Sequence, residues 1–138
     1  MRIVIDTNVL ISAIFWTGKP KQLLNKARRR EIIFLTPETV LKELKEVLTR
    51  GDKPFNLSAE EAERVVEEIR GVAEIIQTHS RITVCKDEMD NRVIECAVDG
   101  GAECIISGDM HLLELKLFKG VNIITVSEFL KYLGKKTG

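Results

Sequence analysis

Four aspartates follow short apolar segments of this sequence closely enough for their carboxylates to act together. They are Asp6, Asp87, Asp90 and Asp109. If the segments are parallel strands, their carboxyl ends meet at one edge of a sheet, and open α/β sheets bind ligands outside that edge. An all-oxygen cluster suits Mg²⁺ or Mn²⁺ rather than zinc. Ions of this kind activate water and stabilise negative charge on a phosphoryl group.

The same aspartates also have a purely structural interpretation. Aspartate is a preferred N-cap, so Asp6, Asp87 and Asp109 could each do no more than begin a helix. Acids gathered at one edge repel one another, however, and two carboxylates about 4 Å apart cost about 4 kcal/mol at an effective dielectric constant of about 20. Helix N-termini offset part of this repulsion, and a divalent cation offsets it better.

Two acids lie in unusual positions on predicted helices. Glu43 lies at the border of an apolar stripe, from which a carboxylate can reach sideways into a cleft, although taken alone it is more simply a solvated helix residue. Asp90 lies in line with Val93 and Ile94 on the apolar face of its helix. An acid on such a face is unusual unless it is paired or binds a metal. The alternative is that Asp90 completes the helix cap begun by Asp87.

An alternation of strands and helices is needed to place these acids together. Short β-branched apolar runs predict five strands, at residues 2–5, 32–35, 81–84, 104–107 and 123–125. Helices are predicted at residues 8–16, 20–30, 36–50, 58–76 and 89–99, shortly after 109, and from 127 to about 134. The predicted helix caps are Thr36 with Pro37, Ser58 in a capping box with Glu61, and Ser127. Because the strands are apolar throughout, we expect an α/β fold with a mostly parallel sheet of about five strands, covered on both faces.

Length and composition are typical of one globular domain. The chain has 138 residues, of which 44% are hydrophobic and 30% are charged. This much apolar surface excludes wholesale disorder and is enough for a single core. No shift in composition, repeat or low-complexity tract marks a second domain. We therefore expect one domain over residues 1–134 and a frayed tail at 135–138.

Charge and hydropathy exclude several function classes. The 21 Lys and Arg residues balance 21 Asp and Glu residues, so a nucleic-acid partner needs a local basic patch or a metal. No apolar run approaches the length of about 20 residues that spans a bilayer, and Asp6 interrupts the N-terminal run. We therefore expect a cytoplasmic protein with no membrane partner. Cys85, Cys96 and Cys104 lack a CxxC spacing and are expected to be reduced thiols.

Four segments together resemble the acidic motifs of a known family. IDTNVLISA, the mid-chain acid in LKELKEVL, DEMDNRVIECA and IISGDMHLL are similar, in the same order, to the four acidic motifs of PIN-domain ribonucleases. The resemblance covers nearly the whole chain and is close to the stand-alone prokaryotic PIN proteins, many of which are toxins of type II toxin–antitoxin pairs. It implies a PIN-like three-layer α/β/α fold and hydrolysis of RNA phosphodiester bonds by a water molecule activated by Mg²⁺ or Mn²⁺.

The resemblance also implies roles for individual residues. The acids that would bind metal and carry catalysis are Asp6, Glu43, Asp90 and Asp109. The residues that would support them are Thr7, Asn8, Asp87, Ser107 and His111. Many relatives have a second aspartate two residues after the position of Asp109, and this chain has His111 there. A second metal site would therefore need another oxygen ligand, which Asp87 could supply.

An RNA substrate requires cationic contacts, because the phosphate backbone dominates affinity. The densest basic run, expected to bind RNA or else to form a solvated helix face, contains Lys26, Arg28, Arg29 and Arg30. Phe15 and Trp16 could stack on bases, cover a dimer partner or pack in the core. As further partners, the resemblance implies an antitoxin protein and a second copy of the chain in a homodimer.

Two other function classes are consistent with the residues. A phosphatase could use Asp6 as a nucleophile that forms an aspartyl-phosphate, although position 8 is Asn where a second acid is usual. A non-catalytic module could use the acids as caps and the basic helix to bind RNA or protein. Nucleotide-binding enzymes that need a Walker loop or a GxGxxG motif find no support in this sequence.

Overall fold

The computed structural model describes residues 1–51 and 55–137, with the side chains of residues 136 and 137 left undescribed. Its strands are β1 (Arg2–Ile5), β2 (Ile33–Thr36), β3 (Glu74–Ile75), β4 (Cys104–Ile106), β5 (Leu117–Phe118) and β6 (Val121–Ile124). Its helices are α1 (Thr7–Phe15), α2 (Lys19–Arg28), α3 (Glu38–Thr49), α4 (Ala59–Val72), α5 (Glu88–Asp99), α6 (Met110–Leu113) and α7 (Val126–Thr137).

The described strands form one sheet in the order β3-β2-β1-β4-β6-β5. All neighbouring strands pair in parallel except β5, which runs antiparallel to β6. This arrangement confirms the predicted α/β class with a mostly parallel sheet, now of six strands. Strand order changes direction at β1, which lies between β2 and β4, and such a switch point is where open sheets bind ligands.

The core is built around β1, whose apolar run is buried on both faces. Ile3, Val4 and Ile5 are fully buried, as expected of a central parallel strand covered by helices. On α3, an apolar stripe that includes Leu41 and Leu44 packs into the same core. The stripe recurs every three to four residues, so one face of α3 is buried while its polar face stays in solvent.

The predicted third strand at residues 81–84 is wrong. This segment is irregular, and the third strand is instead β3, where the preceding helix was predicted to continue to Ile76. Side chains of α5 bind the backbone of residues 81–85 where a neighbouring strand would otherwise do so. The Glu95 carboxylate accepts the Ile82 N–H at 2.8 Å, and the Asn91 side chain accepts the Cys85 N–H at 2.8 Å. Ile76 donates to Thr36 of β2 at 3.0 Å, which brings β3 to the sheet edge.

Several predicted helix ends also differ from the structure. Thr36 is the last residue of β2, so α3 begins at Glu38 without a side-chain cap. The cap of α7 is Thr125 rather than Ser127, because Thr125 and Glu128 form a reciprocal pair with distances of 3.0 and 3.1 Å. Helix α7 continues to Thr137, beyond its predicted end near residue 134.

Other predictions from local patterns are confirmed. The capping box at the start of α4 has the Ser58 hydroxyl 3.1 Å from the Glu61 N–H and the Glu61 carboxylate 3.0 Å from the Ser58 N–H. All three cysteines are free thiols, with two of them buried. None of the described helices combines the length and the apolar character needed to cross a membrane.

Candidate active site

The acids predicted to bind metal line a single small cavity of about 70 Å³ at the carboxyl edge of the sheet. Its lining residues are Asp6, Thr7, Asn8, Glu43, Asp87, Met89, Asp90, Val93 and Asp109. The acids come from four parts of the chain: the ends of β1 and β4, helix α3, and the start of α5. The fold therefore brings together carboxylates that are far apart in sequence.

Asp6 is the most buried of these acids, with 6% of its surface exposed. It directly follows β1 and begins α1, where its Oδ1 atom accepts the Val9 N–H at 2.9 Å. Its Oδ2 atom accepts a hydrogen bond from the hydroxyl of Ser107. Burial raises the pKa of Asp6, and the bonds from Ser107 and Val9 counter part of that rise. Asp6 is thus held in one orientation by two donors.

Ser107 lies behind the cavity and connects two of its acids. The residue is buried at the end of β4, and its hydroxyl donates to Asp6. The same hydroxyl oxygen accepts the backbone N–H of Asp109 at 3.0 Å. Because β1 and β4 are adjacent, a single side chain can fix the relative positions of Asp6 and Asp109.

The interpretation of the aspartates as helix caps is confirmed, and it does not compete with their clustering. Asp87 begins α5 by accepting the Met89 N–H at 2.9 Å, and Asp109 begins α6 by accepting the His111 N–H at 2.8 Å. Each of these capping bonds uses the Oδ1 atom alone. A helix N-terminus also carries partial positive charge, which makes it a favourable place for an acid.

Electrostatics show that the acids act on one another. The pKa of Asp90 is raised to about 6, first by burial and then by the charges of Asp87, Asp109, Asp6 and Glu43. Four carboxylates within electrostatic reach of a fifth is an arrangement that disfavours full ionisation. The cavity is therefore a place where added positive charge would be stabilised.

A divalent cation fits the chemistry of this donor set. Every polar ligand that the cavity offers is an oxygen of a carboxylate, hydroxyl or amide, as Mg²⁺ and Mn²⁺ prefer. Within residues 1–51 and 55–137, no three His, Cys, Asp or Glu side chains approach closely enough to form a metal-binding group. The acids thus surround one cavity, but their side chains are not drawn together as they would be around a bound ion.

A second, larger cavity of about 430 Å³ adjoins the first. The two cavities share Asp87, Asp90 and Asp109 in their walls. The remaining walls of the larger cavity are Val84, Cys85, Lys86, His111, Glu114 and Leu115. His111, predicted to support the acids, therefore lines the larger cavity instead of the small one.

Asn91 has a positioning role that sequence analysis missed. Its side-chain amide accepts the Cys85 N–H at 2.8 Å and donates to the Cys85 carbonyl at 2.9 Å. The residue is 3% exposed. Both bonds hold the segment before Asp87 against α5. The clue in the sequence was that Asn91 and Glu95, four residues apart, interrupt an otherwise apolar helix face.

The basic run lies at the opposite edge of the sheet from the acids. Helix α2 ends just before β2 begins, so the basic run lies near the amino ends of the strands, whereas the acids lie at their carboxyl ends. At these amino ends Ile33 donates to the Met1 carbonyl at 2.8 Å. Arg28 pairs with Glu68 at 2.7 Å, and Arg29 pairs with Glu31 at 2.9 Å. The fold therefore does not bring Lys26, Arg28, Arg29 and Arg30 to the acidic cavity.

The aromatic residues at the end of α1 form a small cluster with Phe55. The ring centroids of Phe15 and Phe55 are 4.6 Å apart, and those of Trp16 and Phe55 are 5.6 Å apart. Phe15 also packs against the core, whereas Trp16 is 47% exposed. Packing against other aromatic rings is thus the role that the structure shows for both residues.

Comparison with known proteins places the chain in a family. The model of the PIN domain matches residues 2–111. An uncharacterized protein of Methanocaldococcus jannaschii is 30% identical over 118 residues, which cover 84% of this chain and 76% of that protein.

Two solved structures share the fold. The structure of VapBC2 from Rickettsia felis bound to a DNA fragment from its promoter matches with a TM-score of 0.63 and 14% identity, covering 89% of this chain and 97% of that one. PAE2754 from Pyrobaculum aerophilum matches with a TM-score of 0.62 and 15% identity, covering 98% and 90% respectively. PIN domains are generally nucleases and generally use divalent metal ions. By the extent of the family match, this chain belongs to the PIN domain family.

Proposed function

We propose that this protein is an endoribonuclease that hydrolyses RNA phosphodiester bonds and depends on Mg²⁺ or Mn²⁺. The observation that carries the proposal is the convergence of acids from four parts of the chain on one cavity beside a topological switch point. If the aspartates served only as helix caps, there would be no reason for Glu43 and Asp90, which cap no helix, to lie in the same cavity. The residues that would hold the cation are Asp6, Glu43, Asp90 and Asp109.

The chain's own residues would prepare the site for that chemistry. A divalent cation, when bound, supplies an activated water and stabilises charge on the phosphoryl group. Asp6 is fixed by Val9 and Ser107, so its carboxylate needs little reorganisation. Thr7 and Asn8 lie beside it in the same cavity. Many relatives have an acid at the position of His111. In this chain Asp87 would provide the oxygen ligand that His111 cannot.

A phosphatase that uses Asp6 as its nucleophile is less well supported. Both carboxylate oxygens of Asp6 already accept hydrogen bonds, and the residue is nearly buried. A nucleophilic carboxylate needs an oxygen that can reach the phosphorus atom. Position 8 is also Asn where such an enzyme usually has a second acid, so the residues favour the metal-dependent nuclease over a covalent intermediate on Asp6.

The basic run would contact RNA only outside the cleavage site. Lys26 and the three arginines at positions 28–30 lie at the other edge of the sheet, so a substrate would have to pass around the domain to reach them. We propose that they bind the flanking parts of long RNA. Their phosphate contacts would add affinity that falls as the salt concentration rises.

We propose two protein partners in addition to RNA, namely an antitoxin protein and a second copy of this chain. Similarity of fold to VapBC2, which is a complex, supports a role as the toxin of a toxin–antitoxin pair with a protein antitoxin. We further propose a homodimer in the cytoplasm. Light scattering on the purified chain measures its mass directly, and affinity capture from the native host under native conditions tests for one stoichiometric protein partner.

The first experiment is cleavage of end-labelled single-stranded RNA in Mg²⁺, in Mn²⁺ and in EDTA. We expect the wild-type protein to cleave in the presence of either metal, and Asp6→Asn and Glu43→Gln to lose cleavage. Glu46→Gln is the matched control, because Glu46 is an exposed acid on the same helix as Glu43. Full activity of folded Asp6→Asn would refute the nuclease proposal. The absence of cleavage in every lane would favour a binding module.

A further inference from the structure

The larger cavity beside the acids has the size of a small-molecule site. Its volume of about 430 Å³ lies in the range of about 300–1,000 Å³ that is typical of ligand pockets. The small cavity, at about 70 Å³, has room for a cation and a few waters, since one water needs about 10–15 Å³ of such space. The two cavities share aspartates in their walls, but the small one fits a cation and the larger one fits a small organic molecule.

The walls of the larger cavity combine apolar and polar side chains. Val84 and Leu115 provide apolar surface, and Val84 is 51% exposed. Lys86 and Glu114 provide an ammonium group and a carboxylate. A flat aromatic ring with hydrogen-bond donors on its edge suits such a site, because its faces meet apolar groups and its edge meets the carboxylate.

Glu114 lies where its carboxylate could accept hydrogen bonds from the edge of such an aromatic ring. It directly follows α6, which begins at the capping residue Asp109, and its backbone N–H donates to the Met110 carbonyl at 2.9 Å. At about 1.5 Å per residue, the backbone of Glu114 is about 7.5 Å along the helix from Asp109. In the part of the chain that the structure describes, the Glu114 carboxylate has no hydrogen-bond or ion-pair partner. It is therefore available to a ligand.

We propose that this cavity binds the base of a nucleotide that flanks the scissile phosphate, and that Glu114 selects guanine. This inference rests on the proposed nuclease function. Guanine presents two adjacent donors, N1–H and N2–H₂, which one carboxylate accepts as a bidentate pair. Adenine and cytosine present a single amino group on the corresponding edge, and uracil presents one N–H between two carbonyls that a carboxylate repels.

The backbone of the wall that carries Val84 and Lys86 is held by hydrogen bonds on both sides of Lys86. Asn91 holds both backbone groups of Cys85, the residue between them, with bonds of 2.8 and 2.9 Å. Asp87, which follows Lys86, is fixed in turn by its capping bond to Met89. A wall that is held in place before binding does not have to be ordered by the ligand, which favours discrimination between similar bases.

The test uses oligouridine RNA in which one internal position is guanine, adenine, cytosine or uracil. In Mg²⁺, we expect kcat/KM of the wild-type protein to be about tenfold or more higher for the guanine substrate, cut beside the guanine, as a bidentate pair can provide. Glu114→Gln should reduce that preference to below about threefold while keeping cleavage of the all-uridine substrate and the melting temperature. Glu46→Gln, an exposed acid elsewhere, should keep the preference.

Binding of the four nucleoside 5′-monophosphates provides an arm that does not need cleavage. Guanosine monophosphate should bind most tightly to the wild-type protein and shift the amide resonances of Lys86 and Leu115, and Glu114→Gln should remove its advantage. Equal cleavage of all four RNAs, or equal binding of all four monophosphates, would overturn the guanine site and leave the nuclease proposal standing. Selective binding without cleavage of any RNA would support the site and count against the nuclease.

Discussion

The hydroxyl of Ser107 donates a hydrogen bond to the carboxylate of Asp6, and so connects the first residue after β4 to the first residue after β1. The two residues are 101 positions apart in the chain. Burial raises the pKa of Asp6, and this bond is the largest contribution that lowers it. Ser107 thus helps to keep a buried acid ionised.

Replacing Ser107 by alanine should therefore change the pH dependence of cleavage. Without the donor, the pKa of Asp6 rises further, and the acidic limb of the pH–rate profile moves to higher pH. The loss of a buried hydrogen bond should also lower stability by about 1 kcal/mol. Rates measured from pH 5 upward, together with urea unfolding, test both effects. Ser127→Ala, which removes an exposed hydroxyl, should leave the profile unchanged; a Ser107→Ala profile identical to wild type would contradict the argument.

Substitutions of Asp6 can separate its role as a helix cap from its role in catalysis. Asparagine caps helices as well as aspartate does, whereas alanine loses about 1 kcal/mol. We expect both Asp6→Asn and Asp6→Ala to abolish cleavage, and only Asp6→Ala to lose stability by that amount in addition. Thermal unfolding and RNA cleavage measure the two properties.

Ser58→Ala is the control for the two Asp6 variants, because it should lower stability without removing a residue of the acidic cavity. It removes the capping box of α4, far in sequence from the acids, and should lower the melting temperature while cleavage at a permissive temperature persists. If loss of cleavage in the Asp6 variants were only a result of reduced stability, Ser58→Ala would lose cleavage too.

Replacing Asp90 by asparagine should stabilise the metal-free protein at neutral pH. The pKa of Asp90 is about 6 in the folded state, above its ordinary 3.8. A raised acid pKa means that folding is penalised where the acid is ionised, so the penalty develops as pH rises from about 4 to 6 and persists above. Because Asp90 is partly exposed, we expect a gain of about 1 kcal/mol rather than the full shift.

The measurement is unfolding in EDTA at several pH values. The gain from Asp90→Asn should be present at pH 7.5, should shrink as the pH falls through about 6, and should vanish below about pH 3.8, where the wild-type carboxyl is protonated in both states. In Mg²⁺ the wild-type protein should recover stability that the variant does not. A gain that is the same at all pH values would show that charge repulsion is not its cause.

Neutralising the basic run should affect long RNA alone. With Arg28, Arg29 and Arg30 all replaced by glutamine, we expect unchanged cleavage of a short oligonucleotide and weaker binding of a long RNA. The slope of log K against log salt should fall by about 2 for three lost phosphate contacts. Lys86→Gln, in the larger cavity, should weaken short and long substrates alike. Loss of short-RNA cleavage in the triple variant would place the run at the active site.

Asn91→Ala should loosen the wall between the two cavities. The variant leaves the N–H and C=O of Cys85 without the amide that pairs them, which should cost about 1–3 kcal/mol. Hydrogen exchange at the Cys85 amide should become faster, and kcat/KM should fall. Asn122→Ala, at an exposed asparagine, serves as the control. Unchanged exchange at Cys85 would show that Asn91 is not what holds this segment.

The parts of the fold that local pattern determines were predictable. Strands β1 and β4 are short apolar runs followed by Asp6 and by Ser107-Gly108-Asp109 respectively, and the capping box at Ser58 is a local motif. The placement of acids after strands then follows from the way parallel strands align. For the same reason the clustering of the aspartates could be anticipated. Glu43 lies on helix α3, and only the resemblance to the PIN-domain motifs placed it among them.

What failed depends on partners that are distant in sequence. Residues 81–84 have the β-branched character of a strand, but Glu95 and Asn91 of α5 bind the backbone in this region. The local pattern marks these two residues as polar on an apolar face without showing which segment they bind. Strand β3 has two residues and exists because β2 offers it an edge. The contacts of the basic run were also not predictable, because it is the return of α4 that places Glu68 beside Arg28 and the Val72 carbonyl beside Arg30.

The two outermost strands of the sheet, β3 and β5, have two residues each. Unpaired N–H and C=O groups on an exposed edge are what another polypeptide uses to add a strand, and edges this short offer very few of them. Growth of the sheet from molecule to molecule, the first step toward amyloid-like aggregates, therefore has little backbone from which to start. A binding partner of this protein would find more to recognise in the side chains of its helices and loops than in the backbone of these two strands.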